Sequence, residues 1–208
     1  MFPPRAEGDL PDGYDVIYSS SEYIMTARAT YSSALSPEYA LLGFLAQQPA
    51  HGYELHLRLT AKLGQVWHVS QSQVYNILNR LEAQGFITAT VQAQEKLPAR
   101  HRFHLTATGR RRFDKWLHTT TSSSVRAIRV EFTTRLYFAY TLDPAQARQL
   151  IDAQVAETRA GLERLKHMGA ELPPDQTFNR LGLELRIRQL TSILDWLADS
   201  QKTLGLSD

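Results

Sequence analysis

The stretch Ser70-Gln71-Ser72-Gln73-Val74-Tyr75-Asn76-Ile77-Leu78-Asn79-Arg80-Leu81-Glu82, closed by Gly85-Phe86-Ile87, decides the fold. Its first serine is a hydroxyl N-cap, able to accept from the free N–H groups of a helix's first turn. Val74, Ile77, Leu78 and Leu81 then recur at helical spacing, so one face is apolar, while Gln71, Ser72, Gln73, Asn76, Asn79 and Arg80 fill the other. The amides of this outer face are either solvated or available to hydrogen-bond a partner. Gly85 ends the run, because glycine accepts the left-handed conformation common at helix C-termini.

Upstream, Ser36-Pro37-Glu38 combines a hydroxyl cap, a proline at the first helical position and an early acid, and predicts a short apolar helix from Tyr39 to about Gln48 that Pro49 stops. A second helix follows His51-Gly52, with Tyr53, Leu55, Leu59 and Leu63 as its buried face, and Gly64 closes it. Downstream the period changes. Phe86 to Val91 is rich in β-branched residues, Pro98 marks a turn, and Arg100 to Leu105 alternates, which predicts a two-stranded hairpin. A further helix begins after Thr106 to Gly109, with Arg110, Arg111 and Arg112 in its first turns and Phe113, Trp116 and Leu117 as packing residues. Helix, helix, helix, hairpin, helix is the order of a winged helix-turn-helix domain.

Charge supports a polyanionic partner for that domain. Of 23 basic and 21 acidic residues, residues 36–120 hold 10 and 5, residues 1–35 hold 2 and 5, and residues 121–208 hold 11 of each. The middle segment is therefore the basic one, and it also holds six of the seven histidines. There is no cysteine, hence no disulfide framework or thiolate chemistry, and a cytoplasmic location is expected. No apolar run approaches the roughly 18 residues of a membrane span. Enzymatic signatures are missing from the sequence too: it has no phosphate-binding glycine loop, no Gly-x-Ser-x-Gly elbow and no His-Glu-x-x-His. His101 and His104 fall on opposite faces of a strand and make no metal pair. No enzyme, cofactor or metal site is expected.

Residues 1–33, with Pro3-Pro4, Asp12-Gly13 and Ser19-Ser20-Ser21, read as a disordered tail; either Met25 is the true start or the preceding stretch is a flexible arm. Past the polar linker Thr119 to Ser124 the pattern is helical. Val125, Ile128, Phe132 and Leu136 form one apolar stripe. Ile151, Val155, Thr158, Leu162 and Leu165 step by 4, 3, 4, 3, and so do Leu183, Ile187, Leu190, Leu194 and Leu197 beyond Pro173-Pro174. Either these seams cover one another within a protomer, or they pair two copies. The second is expected, because a lone helix pair has little protein of its own to cover wide stripes. The architecture is then mainly α with a small β-hairpin: a winged helix-turn-helix domain at 34–118 and a coiled-coil-like helical dimerisation domain at 119–208.

These residues resemble the PadR-like family of transcriptional regulators. The resemblance is carried by Ala40-Leu41-Leu42-Gly43-Phe44-Leu45, by His51-Gly52-Tyr53-Glu54-Leu55, and by the stretch from Ser72 to Ile87; it spans about Leu35 to Leu204. Arg100-His101-Arg102-Phe103-His104-Leu105 is similar to the family's second wing strand, although Arg102 stands where an aromatic is usual. Glu131-Phe132 to Phe138 and the helices after it resemble the dimerisation segment of its longer members. The resemblance implies a repressor relieved by a small molecule, often aromatic, and places Tyr75 at the DNA backbone, the competing role of that ring being to pack under the wing.

In helix-turn-helix proteins the third helix enters the major groove, so Gln71, Ser72, Gln73 and Asn76 are candidates for base contact, with Gln73 and Asn76 best suited to pair with adenine. Arg80 is a phosphate candidate or pairs near Glu82. On the wing, Arg100, Arg102 and His104 share one strand face, with Lys96 in the loop before them, and such cations add affinity and salt dependence. A homodimer should read a pseudo-palindromic operator in double-stranded DNA. The aromatics Trp116, Phe132, Tyr137, Phe138, Tyr140 and Trp196 suffice for an effector pocket but suit a core better. The alternative function is a protein-interaction adaptor that uses the winged helix without DNA.

Overall fold

The computed structural model describes residues 36–92 and 100–206; the expected tail at 1–33 and Lys96 lie outside the described residues. Helix α1 (Glu38–Gln47) is apolar on nearly every side, and Ala40, Leu41, Leu42, Phe44 and Leu45 are all buried. It starts at Glu38, one residue ahead of Tyr39, and the proline expected at its first helical position lies outside it. Pro37 has a ψ of 1°, outside the helical range, so the proline is the cap and the Glu38 N–H reaches back 3.4 Å to the Ser36 hydroxyl.

Helix α2 (Gly52–Leu63) follows the two-residue strand β1 (Ala50–His51). Leu55, Leu59 and Leu63, four apart, are buried, but Tyr53 is exposed, contrary to expectation. Residues two apart on a helix face different ways, so Tyr53 cannot share the line of Leu55. Helix α3 (Gln71–Ala83) buries Val74, Ile77, Leu78 and Leu81 as its spacing demands. Its end is a Schellman turn: the Phe86 N–H donates to the Leu81 carbonyl at 2.9 Å, and Gly85 takes a φ of 73°.

Strands β2 (Ile87–Gln92) and β3 (Arg100–Leu105) pair antiparallel, Ile87 opposite Leu105 and Gln92 opposite Arg100. The hairpin gains a third strand that the sequence pattern does not reveal. β1 pairs with the free edge of β3, Ala50 opposite Phe103 and His51 opposite Arg102, giving the order β1-β3-β2. Two residues after a proline carry no alternation to read. Thr106 then caps helix α4 (Ala107–Leu117), accepting from the Gly109 N–H at 3.0 Å.

Ser124 caps α5 (Val125–Ala127), which passes through a π-helical turn (Ile128–Phe132) into α6 (Thr133–Leu142). Asp143 and Pro144 start the 28-residue α7 (Pro144–Glu171), and α8 (Thr177–Thr203) returns beside it. One apolar core runs from α1 through α6 to Ile151 of α7 and Leu197 of α8. Phe138 sits at its centre, edge-on to Phe44 of α1 at 5.2 Å and to Phe113 of α4 at 5.5 Å. A smaller cluster of Leu162, Leu165, Leu183 and Leu190 fills the far half of the hairpin.

The helical seams therefore face inward. Ile151, Leu162, Leu165, Leu183, Leu190 and Leu197 are buried within one chain, while Val155, Ile187 and Leu194 are partly buried at the margins. Long helices in antiparallel register supply each other's cover, which corrects the expectation that these stripes need a second copy. Truncating Phe138 to alanine removes the ring that joins α1, α4 and α6, and urea denaturation should show a loss of about 3–5 kcal/mol.

Candidate nucleic-acid interface

The cap of α3 is a closed capping box: the Ser70 N–H donates to Gln73 Oε1 at 2.8 Å and the Gln73 N–H to the Ser70 hydroxyl at 3.3 Å. The Ser72 hydroxyl lies 3.0 Å from that of Ser70. Of the exposed polar residues on the first turns, Gln73 and Ser72 are thus engaged locally, whereas the side chains of Gln71 and Asn76 make no hydrogen bond among the described residues. This changes the ranking drawn from sequence, which preferred Gln73 over Gln71.

Tyr75 is partly exposed, with its ring lying on Gly52: a β-carbon there would stand 2.6 Å from the ring. The glycine at the start of α2 therefore makes room for the tyrosine of α3. No described residue bonds the Tyr75 hydroxyl. At the other end of α3, the Arg80 guanidinium pairs at 2.9 Å with Glu38 of α1, and not near Glu82, whose carboxylate accepts from the Ala89 N–H at 3.0 Å.

On the sheet, Phe103 points into the core, so Arg100, Arg102 and His104 share the opposite face, across from Gln92, Thr90 and Thr88. Arg100 is exposed; Arg102 and His104 are half-buried. The His104 ring is 3.1 Å from the Thr90 hydroxyl, and Arg102 has a buried Nε with no hydrogen-bond partner.

Two arrangements escaped the sequence reading. Glu38, 3% exposed, accepts from both Arg80 and Arg112, and the Arg112 guanidinium lies 4.3 Å from the centre of the Phe86 ring. Arg112 is thus a structural cation rather than a solubilising one. The available signal was an acid opening an otherwise apolar helix, since a buried carboxylate needs a partner. The second is Trp67, in the turn between α2 and α3, whose indole N–H donates to the buried Thr134 hydroxyl of α6 at 2.8 Å. Beside it, Glu131 of the π turn pairs with Arg135, which lies over the Trp116 ring at 4.9 Å. Burial pushes the Glu131 carboxyl up against the pull of Arg135, and burial likewise lowers Arg135.

A three-helix core with a capped, amide-bearing third helix and a cationic wing defines a winged helix-turn-helix DNA-binding protein. The family model described as the transcriptional regulator PadR-like family matches residues 41–115, and that of the virulence activator alpha C-terminal region matches residues 128–205. The negative transcriptional regulator PadR of Bacillus subtilis is 30% identical over 131 residues, covering 62% of this chain and 70% of that protein. A probable transcriptional regulator of Mycobacterium tuberculosis is 28% identical over 79 residues, 38% of this chain and 42% of that protein. Among solved structures, that of Bacillus subtilis PadR in complex with operator DNA is 25% identical, covers 82% of this chain and 97% of that chain, and superposes with a TM-score of 0.41. The chain belongs to the PadR-like family, and is a transcriptional regulator, not an enzyme.

The Glu38 node is open to a double-mutant cycle. Glu38→Ala and Arg112→Ala should each lower the unfolding free energy, with a coupling of about 1–3 kcal/mol between them in urea titrations. Additive effects would mean that the pair contributes nothing.

Proposed function

We propose that the protein is a cytoplasmic repressor that binds a pseudo-palindromic operator as a homodimer and responds to a small molecule. The observation that carries the DNA part is the pairing of two unengaged amides, Gln71 and Asn76, at the leading end of α3 with a cationic wing face on the same domain. An amide reads adenine bidentately in the major groove, and Asn76 and Gln71 are the first candidates for that role. Gln73 retains an amide nitrogen to donate, although its oxygen is held in the cap. The Tyr75 phenol and Ser72 suit phosphate, while Arg80 reaches it only by sharing its guanidinium with Glu38. Arg100, Arg102, His104 and Lys96 contribute counterion release along the flanking backbone. Repression is the reading that the Bacillus subtilis relative supports, since that protein is a negative transcriptional regulator. Among the described residues no helix is long and apolar enough to cross a membrane.

Pairing of two copies is supported by a different surface from the expected seams. Phe178, 88% exposed, continues with Leu181 and Leu185 down one side of α8, and Trp196 lies on the same side five turns along. Such a stripe on an outer face favours a partner helix over water. Leu181→Glu with Leu185→Glu changes only exposed positions, and sedimentation should then show monomers with unchanged helical content. A monomeric wild type at micromolar concentration would overturn this surface as the dimer contact.

The regulator reading is tested by fluorescence anisotropy on the DNA upstream of its own coding sequence, with nonspecific competitor and a salt series. Asn76→Ala should erase the preference for that DNA over competitor, whereas Arg100→Ala with Arg102→Ala should weaken binding to both and reduce the salt slope by about one per lost phosphate contact. Binding that is indifferent to sequence in the wild type would sink the proposal.

A further inference from the structure

The aromatics take the core role that suits them better than a pocket: Phe132 and Phe138 are buried, and Trp116 stacks on Tyr39 at 4.6 Å. A cleft of about 460 Å³ opens elsewhere, between the linker ahead of α5 and the far half of the α7 and α8 hairpin. Its floor is aliphatic: Val125, Leu165, Met168 and Leu190. Its polar groups are the hydroxyls of Ser123 and Ser124 and the guanidinium groups of Arg164 and Arg186. The linker lies this close because residue 161, deep inside α7, is glycine, where a β-carbon would stand 2.4 Å from the Ser123 hydroxyl. Glycine costs a helix about 1 kcal/mol relative to alanine, and here its missing β-carbon admits the linker.

The two cations differ. Arg164 donates to Glu157 at 3.0 Å and reaches Ser123 at 3.5 Å, so part of its charge is already answered. Arg186 has no ion pair or hydrogen bond among the described residues. No carboxylate and no aromatic ring lines the cleft. An anionic head is therefore matched by charge, and an aliphatic body is matched better than a flat ring that would find nothing to stack on.

We propose that this cleft binds a medium-chain aliphatic carboxylate, its head on Arg186 and Arg164 and its chain along Leu165, Met168 and Leu190. The volume accommodates a chain of about ten carbons. The inference rests on the effector reading above and supplies the site and the ligand class for it. A route to DNA is built in: Ser124 caps α5, α5 runs into the π turn, and Thr134 one residue beyond that turn's C-cap holds Trp67 in the turn that precedes α3. A ligand that moves the linker pulls on the end of α3 that enters the groove.

The test is isothermal titration calorimetry of the full chain with decanoate, decanol and phenylpropanoate, repeated with Arg186→Gln, alongside anisotropy on the upstream DNA with and without decanoate. Decanoate should bind, Arg186→Gln should weaken it by about tenfold, and decanol and phenylpropanoate should bind at least about tenfold more weakly than decanoate. Arg164→Gln provides a second variant should the first fold poorly. Equal affinity in wild type and both variants, or for decanol and decanoate, overturns the proposal, as does the absence of decanoate binding. Decanoate binding with the expected pattern but unchanged DNA affinity upholds the site and defeats the effector reading; release of DNA by another compound, without decanoate binding, upholds the effector reading and overturns the site.

Discussion

A carboxylate buried at the first turn of α1 holds α3 in place. Glu38 is nearly inaccessible, yet it receives one arginine from α3 and one from α4, so three helices meet at a single charge. An unpaired carboxylate in that position would be costly, and so would either arginine left without it, which makes the arrangement self-enforcing. Arg112 extends the node onto the rings of Phe86 and Tyr39, at the root of the hairpin. The angle of α3 and the start of the wing are thus set from the same point. Because Arg80 remains half-exposed, the node also reaches the surface at the far end of α3.

The helical half is not a separate appendage. Phe138 of α6 inserts between Phe44 and Phe113, and Trp67 binds Thr134, so α6 touches both the core of the winged helix and its turn. The π turn ahead of α6 carries Glu131, whose pairing with Arg135 is buried below Trp116. Such widened turns recur where a helix must re-aim its side chains. Here the re-aiming sets Arg135 over Trp116 and the Thr134 hydroxyl against Trp67 of the winged-helix half.

Much of the fold was legible. The helix start at Ser70, the apolar spacing of α3, the change of period at Phe86 and the seams of α7 and α8 are local patterns whose physics operates within a few residues. What escaped was nonlocal or counter to average behaviour. β1 is two residues long and exists only because the edge of β3 is there to pair with. Glu38 and Arg112 are separated by more than seventy residues, so neither advertises the other. Gln73 and Asn76 ranked first because their type suits adenine, but the amide of Gln73 also suits a cap, and sequence does not say which bond is made.

The sequence alone determined the helices and the hairpin and their order, together with the family and the chemical character of each face, because helix caps, turn glycines and apolar periods act locally. Only the tertiary structure decided what those faces meet. The seams of α7 and α8 turned inward because antiparallel helices bury each other, leaving Phe178, Leu181 and Leu185 outside. The cleft at Arg186 exists only because the linker at Ser123 packs against Gly161 and the α7 and α8 hairpin, well beyond it in the chain, and such convergence is a property of packing that no short stretch of sequence contains.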